Sequence, residues 1–574
     1  MPLTRRFFLN QASLAAFSLL CRRNGQGSEH AGTGESCVHR DSLSASDGPM
    51  PALIDLAKLT AFLDPLPIPP VAKPEGHRAS PDDPKQQCPF YRVSIRQISA
   101  QVHSQVKPTT FWSYGTTFPG PTFETRSGQG IFVEWANDLP AKHFLPIDHR
   151  LCGAEEDKPE VRSVVHVHGA IVPPESDGFP ESWFTPGKSA IYHYPNQQDA
   201  AMLWYHDHSM GVERLNIYAG LFGAFFIRDE HETSLNLPAG KYEVPLILCD
   251  RMFREDGQLY YPATRGSSGP WIPQFFGNCT LVNGKILPYL NVEPRKYRFR
   301  VVNAANARFF HLALDNGQPF QQIGADQGLL PEPVEVRRLS IAPGERADLV
   351  LNFAEAGAKA ITLKNEALPV MQFRVATGRV SDPSSLPATL RPAAKIAESD
   401  SVMTRTLTLN EYNDLTGKTV RMLLDGKRWG DPVSEKPRQN TIEIWSFVNL
   451  TSDTHPIHLH QTRFQILDRR NIDVPEYLMS GNIRFRGAAT APGPNECGWK
   501  DTVRASGKSI TRIIVRFDGY PGRYVWHCHI LEHAANEMMR PYEILSGRSS
   551  NLKLSGEGAT YSYGVSRNTG GDSV

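Results

Sequence analysis

The segment GIFVEWANDLP, residues 130–140, alternates apolar and polar side chains along a short run that ends in asparagine and a turn. This alternation is typical of a β-strand with one buried face. Two later segments have the same shape, KYRFRVVNAAN at residues 296–306 and NTIEIWSFVNLTSD at residues 440–453. Three copies of one strand–asparagine–turn pattern indicate an internal repeat of one all-β unit.

The strands that follow each copy extend the repeat. A strand with histidine comes next in each case: VVHVHGA (164–170), ARFFHLALDN (307–316) and HPIHLHQTRF (455–464). The first and third units share a later strand, AMLWYHDH (201–208) and GRYVWHCH (522–529). We interpret ERADLVLNF (345–353), which has no histidine, as the corresponding strand of the middle unit. The pattern predicts a middle unit without metal ligands between two units that carry them.

The chain has 574 residues, too many for one ordinary core, and its 45 glycines and 45 prolines separate short apolar segments. These features favour strands joined by turns, so we predict an all-β chain of three Greek-key β-sandwich domains. The predicted organisation is a leader and linker (1–50), three domains (51–235, 236–395 and 396–547) and a disordered tail rich in serine and glycine (548–574).

The charge balance argues against several partners. Lysine and arginine total 61 and aspartate and glutamate total 60, a formal net charge of +1. A neutral chain of this kind predicts no binding to nucleic acid or to an anionic membrane surface. No later segment is long and apolar enough for us to expect a membrane span.

The N-terminal segment TRRFFLNQASLAAFSLL (4–20) resembles a twin-arginine export signal, because paired arginines precede a short apolar run. Such a signal predicts export to the periplasm or the cell exterior. The alternative is a basic leader without a signal function, since Cys21 and two arginines stand where small residues are expected. In that case we expect a cytoplasmic or coat-associated protein.

Four H-x-H elements occur in the first and third units: His166/His168, His206/His208, His458/His460 and His527/His529. On a strand, residues i and i+2 point to the same face, so each element directs two imidazoles to one place. One such pair can lie on a solvated face, but four pairs at matching positions of two repeats are hard to explain in that way. If the two units meet, eight imidazoles converge, which is enough for several metal ions.

The segment HCHILEHAANEMM (527–539) is more specific. Cys528 lies between two histidines, so on an extended backbone its sulfur points away from their imidazoles. A thiolate on one metal and imidazoles on a cluster then form a short covalent bridge between two sites. With His455, His533 and Met538, Cys528 completes the ligand set of a blue copper electron-transfer centre. Zinc accepts similar ligands but does not change its redox state, so copper is the predicted metal.

The remaining cysteines give a weaker signal. None of the eight forms a C-x-x-C pair, which argues against a zinc ribbon or a thioredoxin-like site. With Cys528 assigned to a metal, seven remain, so at least one is expected to be a free thiol unless it pairs between chains. One intramolecular disulfide is possible, and its position stays open.

The motifs HVHG, WYHDHSMG, HPIHLH and HCHILEH resemble, in order and spacing, the four copper signatures of multicopper oxidases. Within that family the chain resembles the bacterial spore-coat laccases, with bilirubin oxidase and phenoxazinone synthase as relatives. Supporting stretches include SDGFPESWFTPG (176–187) and GWKDT (498–502). The resemblance covers roughly residues 50–545 and implies that the three sandwiches are cupredoxin-like.

The resemblance also implies four copper ions and their ligands. The type 1 copper would be bound by His455, Cys528, His533 and Met538. The type 2 copper would be bound by His166 and His458, and the type 3 pair by His168, His206, His208, His460, His527 and His529. The first and third domains would therefore share the trinuclear cluster.

The implied activity is a laccase reaction without flavin or nicotinamide. Phenolic or other small aromatic donors would give single electrons to the type 1 copper through the exposed edge of His455 or His533, and the trinuclear cluster would reduce dioxygen to two waters. A dedicated bilirubin or aminophenol oxidase stays possible. A cuprous or metal-ion oxidase for copper tolerance is disfavoured because the chain has only 11 methionines, which do not cluster beyond Met538 and Met539. A copper-storing scaffold is disfavoured by the Cys528 bridge. Three fused units predict a monomer.

Four positions were considered for the protons that dioxygen reduction consumes: Asp177, Asp207, Ala534 and Glu537. Asp177 matches an acidic position of the spore-coat laccases, so we predict a proton role for it, with turn formation as the alternative. Asp207 should point away from the cluster and be structural. The spore-coat laccases usually have glutamate where this chain has Ala534, which predicts slower or differently pH-dependent dioxygen reduction. Glu537 could replace that acid only if its loop folds to suit.

Overall fold

A computed structural model describes residues 51–81, 83–263, 269–357 and 359–547. The predicted leader, including the twin-arginine-like segment, and the predicted tail lie outside these residues, as do Cys21 and Cys37. Within the described ranges, no helix is both long enough and apolar enough to cross a membrane. Five cysteines in these ranges are free thiols and form no disulfide: Cys152, Cys249, Cys279, Cys497 and Cys528.

The first nine strands form two sheets, with strand orders β1-β2-β5-β7 (β3 also pairs with β2) and β4-β9-β8-β6. They are β1 (Gly76–Ala79), β2 (Gln87–Ala100), β3 (Thr109–Tyr114), β4 (Phe123–Arg126), β5 (Ile131–Asp138), β6 (Val165–His168), β7 (Ser189–Tyr194), β8 (Ala201–Asp207) and β9 (Phe222–Arg228). Two short helices accompany them, α1 (Glu213–Ala219) and α2 (Glu230–Ser234).

The next twelve strands form a second pair of sheets, β12-β11-β10-β14-β19-β16-β17 and β13-β21-β20-β15-β18. They are β10 (Glu243–Arg251), β11 (Cys279–Val282), β12 (Lys285–Ile286), β13 (Tyr289–Val292), β14 (Lys296–Asn303), β15 (Phe310–Leu314), β16 (Phe320–Ala325), β17 (Gly328–Val336), β18 (Leu339–Ile341), β19 (Arg346–Asn352), β20 (Ala360–Asn365) and β21 (Leu368–Val375).

The last ten strands form a third pair, β23-β22-β24-β29-β26-β27 and β28-β25-β30-β31. They are β22 (Met403–Asn413), β23 (Thr419–Leu424), β24 (Ile442–Asn449), β25 (His455–Leu459), β26 (Phe464–Ile472), β27 (Phe485–Thr490), β28 (Thr502–Ala505), β29 (Ser509–Arg516), β30 (Gly522–Cys528) and β31 (Met539–Ile544). Helices α3 (Val474–Ser480) and α4 (Leu531–Ala535) complete this part. The prediction of three cupredoxin-like β-sandwiches is confirmed.

The repeated asparagine explains why the three copies fold alike. The copies form β5, β14 and β24, and each pairs in parallel with an early strand of its sandwich, β2, β10 or β22. Asn137, Asn303 and Asn449 are buried at the ends of these strands. In each, the side-chain oxygen accepts a hydrogen bond from the backbone N–H two residues later, and the amide donates to backbone carbonyls. The asparagine thereby fixes the turn that leads to the next strand.

The predicted counterpart strand of the middle unit is wrong. ERADLVLNF forms β19, which pairs antiparallel with β14, as β7 pairs with β5 and β29 with β24. The counterpart of β8 and β30 is β20, because it pairs with β15 as β8 pairs with β6 and β30 with β25. In the first and third units histidines mark this strand, so in the middle unit, where the strand has none, the sequence pattern could not distinguish β19 from β20.

A buried ionic cluster joins α2 to β14. Glu232 accepts hydrogen bonds from Arg298 at 2.7 Å and from Arg300 at 3.2 Å, and all three residues are buried. Burial alone would raise the pKa of Glu232, but the guanidinium groups of Arg298, Arg300 and Arg228 outweigh it and hold the pKa at about 2. The carboxylate thus stabilises the fold as an anion.

We expect Glu232→Gln to lower the free energy of unfolding by about 3 kcal/mol at neutral pH, because buried guanidinium groups lose an anionic partner. The stabilisation by Glu232 is complete above the unfolded pKa of 4.5 and is lost as the pH falls towards the folded pKa of about 2. Denaturant unfolding at pH 7 and pH 3 should therefore show a smaller pH effect in the variant. The exposed Glu335→Gln, which breaks only a surface pair with Arg337, is the control and should change little. An equal pH effect in wild type and Glu232→Gln would contradict this prediction.

Candidate metal centre

The eight histidines of the H-x-H elements come together inside the protein. His166 lies opposite His206 in the pairing of β6 with β8, and His458 lies opposite His527 in the pairing of β25 with β30. All eight are buried. The two sheets meet through stacked imidazoles: His166 stacks on His460 with ring centroids 3.7 Å apart, and His168 stacks on His458 at 3.6 Å. Pairs from the first and third sandwiches thus line one pocket.

The imidazoles form three groups, two of which share His168, and within each group the possible ligand atoms lie within 4.8 Å of one another. These groups are His168 with His206 and His529, His208 with His460 and His527, and His166 with His168 and His458. In the second group, Nε2 of His527 lies 3.2 Å from Nε2 of His208 and 3.3 Å from Nε2 of His460. Nitrogens at these separations can surround several ions.

The second nitrogen of several rings is held by the protein. Nδ1 of His166, His206 and His458 donates to the backbone carbonyls of Asp177, Asp207 and Asp501 at 2.7, 2.8 and 2.8 Å. This leaves Nε2 of the same three rings buried without a hydrogen-bond partner. Such hydrogen bonds fix the tautomer and direct one lone pair to a metal, which is the usual arrangement of ligating histidines.

The protonation of these rings also suits a metal. Burial, followed by the neighbouring imidazoles, lowers the pKa well below its ordinary value in His168, His208, His458 and His460. The rings are therefore neutral at pH 7, and neutral imidazole is the form that binds metal ions. Buried, uncharged imidazoles fit a metal cluster.

A second, smaller site lies beside the first. Sγ of Cys528 is 3.5 Å from Nδ1 of His455 and 3.7 Å from Nδ1 of His533, and these two nitrogens are 3.2 Å apart. Met538 is fully buried in the same apolar cluster as Cys528, and its carbonyl accepts from the Cys528 N–H at 3.0 Å. Burial raises the pKa of the Cys528 thiol, so a bound cation is needed to stabilise the thiolate. A thiolate with two imidazoles suits copper.

Cys528 connects the two sites through one strand. Its neighbours His527 and His529 belong to the larger cluster, whereas its own sulfur belongs to the smaller site. Strand alternation places the sulfur and the two imidazoles on opposite sides of the strand, as the predicted covalent bridge between two metal sites requires.

The two aspartates next to the cluster differ. Oδ2 of Asp177 accepts from Nδ1 of His460 at 2.8 Å, and its other oxygen is buried without a hydrogen-bond partner. Asp207 accepts from Ser163 at 2.8 Å and from Asn216 at 2.9 Å. Asp207 therefore links the end of β8 to α1 and to the segment before β6, in line with its structural interpretation, while Asp177 touches the cluster.

The positions after His533 carry no acid at the cluster. Ala534 and Ala535 are buried in α4. Glu537 has a positive φ of 70° and is engaged by Arg421 at 3.1 Å and by the N–H of Trp429 at 3.4 Å. The loop thus commits this carboxylate to other partners.

Sequence reasoning missed four residues around the cluster. Asp501 accepts from Nε2 of His168, Thr502 lies 3.1 Å from the same nitrogen, and Arg346 and Gln327 donate to Asp501. The only local signal was the stretch GWKDT, which contains Asp501 and Thr502. Arg346 and Gln327 come from the middle sandwich and had no signal.

Known proteins resemble this chain over most of its length. Multicopper oxidase family models match residues 159–232, 259–368 and 401–548. The chain is 44% identical over 514 residues to a laccase of Bacillus subtilis (strain 168), covering 85% of this chain and 99% of that one. It is 35% identical over 528 residues to a laccase of Haloferax volcanii, covering 85% of each. The crystal structure of a laccase from Pediococcus acidilactici superposes with a TM-score of 0.69 at 27% identity, covering 87% of this chain and 96% of that one.

Proposed function

This chain belongs to the multicopper oxidase family, and from that premise we propose that it is a laccase-type oxidase. It takes single electrons from phenolic or other small aromatic donors and reduces dioxygen to two waters. The observation that carries this proposal is the placement of Cys528, with its sulfur beside His455 and His533 and its neighbouring histidines in the larger cluster. A copper-storing scaffold would not need this connection.

Copper is the cofactor, and when bound it supplies the one-electron redox chemistry that the side chains lack. We assign His455, Cys528, His533 and Met538 to the type 1 copper and His166 and His458 to the type 2 copper. The type 3 pair is assigned to His168, His206, His208, His460, His527 and His529. The grouping of the ligand atoms supports the histidine and cysteine assignments, and the burial of Met538 in one apolar cluster with Cys528 supports the methionine assignment.

Electrons enter through His533 in this proposal. Both His455 and His533 are fully buried, so the exposed edge expected from the sequence is not present. Nε2 of His455 is already paired with the Thr451 hydroxyl at 2.8 Å, whereas Nε2 of His533 has no hydrogen-bond partner. We infer that an electron reaches this ring across the atoms that cover it, and no hydrogen bond at Nε2 of His533 has to break.

Asp177 is the proposed proton-carrying residue. One of its oxygens holds His460 and the other is buried and free of hydrogen bonds, so the carboxyl group can bind a proton beside the cluster. Asp177 can form its turn and carry a proton, because the backbone and the side chain act separately. The backbone carbonyl holds His166, and the carboxyl group is left for the proton.

Ala534→Glu should raise kcat by at least about tenfold if dioxygen reduction in the wild type is limited by a missing acid near α4, since a positioned general acid commonly contributes far more. The measurement is steady-state oxygen uptake with a phenolic donor. Ala534→Gln, which has the same size without an acid, is the control. Equal rates in the wild type and both variants would contradict the hypothesis that a missing acid near α4 limits dioxygen reduction.

The proposed function is tested on the copper-loaded protein by its visible spectrum and by oxygen uptake with a phenolic donor. An intense blue absorption that bleaches with donor and returns in air is expected from the type 1 centre. A colourless, copper-loaded protein would contradict the Cys528 assignment. A blue protein that consumes oxygen with Cu(I) but not with phenols would identify a metal-ion oxidase instead.

The organisation of the chain is proposed alongside the function. We place the domain boundaries near residues 235 and 395, since the sheets change partners between β9 and β10 and between β21 and β22. We also propose a monomer, because one chain supplies both sandwiches that line the cluster, and an exported protein with a twin-arginine-type leader in residues 1–50. Sedimentation analysis and N-terminal sequencing of the secreted protein test these two points.

A further inference from the structure

The middle sandwich supplies none of the clustered histidines, yet it lies directly against them. Gly344, just before β19, has a φ of +84°, and a Cβ there would lie 2.8 Å from Cδ2 of His529 and 3.0 Å from Cε1 of His168. No side chain fits at that point, so the bare backbone of the middle sandwich forms a wall of the cluster.

Arg346 follows two residues later and is buried. Its guanidinium donates to both carboxylate oxygens of Asp501, at 2.7 Å for Oδ1. The remaining N–H groups donate to the carbonyls of Gly344, Asp326 and Met202 at 3.0, 2.9 and 3.1 Å. Every part of the guanidinium fork is therefore used, which a lysine ammonium could not reproduce.

Asp501 in turn holds two histidines. Its Oδ1 accepts from Nε2 of His168 at 3.0 Å, and its backbone carbonyl accepts from Nδ1 of His458 at 2.8 Å. These bonds leave Nδ1 of His168 and Nε2 of His458 without a hydrogen-bond partner. Gln327 donates to Oδ2 of Asp501 at 2.6 Å and helps to fix the carboxylate.

We propose that Arg346 is a positioning residue of the trinuclear copper cluster. By fixing Asp501 it sets the ring orientation and tautomer of His168 and His458, so the sandwich without ligands controls how tightly the cluster holds copper. Hydrogen-bond partners of ligating histidines commonly change metal affinity when they are lost. This inference rests on the proposed ligand assignments.

The decisive variant is Arg346→Lys, which keeps the charge and removes the fork. Copper affinity of the cluster should fall by about 10–100-fold. Dialysis against a chelator should then leave less copper per protein, with a weakened or altered paramagnetic resonance signal of the type 2 copper. The blue absorption should remain, because Cys528, His455 and His533 lie in the separate type 1 site.

Two further variants separate positioning from general stability. Arg298→Lys disrupts another buried guanidinium fork, with Asp348, and should lower the unfolding stability while copper content and both copper signals stay as in the wild type. Gln327→Ala removes one hydrogen bond to Asp501 and should give a smaller loss of copper in the same direction. If Arg346→Lys does not fold, the copper content of Gln327→Ala tests the inference instead.

Wild-type copper content and an unchanged type 2 signal in Arg346→Lys, or in Gln327→Ala if the former is unfolded, would overturn the inference. Parallel loss of the blue absorption and the type 2 signal in the folded Arg346→Lys would also overturn it, since that indicates general damage. If the wild type itself is not blue, the proposed function fails first and this inference fails with it.

Discussion

Cys528→Ser is expected to abolish both the blue absorption and oxygen uptake with phenolic donors. Sγ lies within 3.7 Å of Nδ1 of both His455 and His533, and no other sulfur–imidazole group of this kind is found among the described residues. A serine hydroxyl is a hard, weakly acidic donor and cannot replace a thiolate on copper. The substitution also removes the sulfur that links the type 1 site to the histidines at positions 527 and 529.

The measurement combines the visible spectrum, copper content and oxygen uptake. We expect the larger cluster to keep its copper, because its imidazoles are held by carbonyls that the substitution leaves in place. Cys249→Ser, which replaces another buried free thiol, is the matched control and should remain blue and active. Residual blue colour in Cys528→Ser would disprove the type 1 assignment.

Asp177→Asn should lower kcat by roughly a hundredfold through slower dioxygen reduction, the lower end of what a positioned acid contributes. Asparagine has the same shape and its oxygen can still accept from His460, so the geometry at 2.8 Å is retained while the ionisable group is lost. The experiment separates two half-reactions. Bleaching of the blue absorption by donor should keep its wild-type rate, and its return in air should slow.

The exposed Glu175→Gln, in the same loop, is the matched control and should leave both rates unchanged. Equal slowing of bleaching and recovery in Asp177→Asn would indicate that the residue acts on the structure of both sites. Unchanged recovery would restrict Asp177 to holding His460 and forming its turn.

Local sequence patterns determined the fold class and the direction of each imidazole pair, whereas the packing of the first sandwich against the third brings the pairs together. Strand alternation is a local property. The spacing alone therefore predicted that His166 and His168 point to one face of their strand, and that Cys528 points away from His527 and His529. The asparagine at or next to the end of β5, β14 and β24 identified the three sandwiches, because the turn that it fixes through the N–H two residues later is a local feature.

Only the tertiary structure decided which residues support the cluster. Arg346 reaches Asp501 across 155 positions, and Asp501 reaches His168 across 333. Contacts of that range depend on how sandwiches pack and leave no periodic trace in either partner. For the same reason the sequence could not predict three further features. They are the burial of His533, the ion pair of Glu537 with Arg421 and the position of β19 in its sheet. Ligand types are local chemistry, whereas the partners that orient them are set by long-range packing.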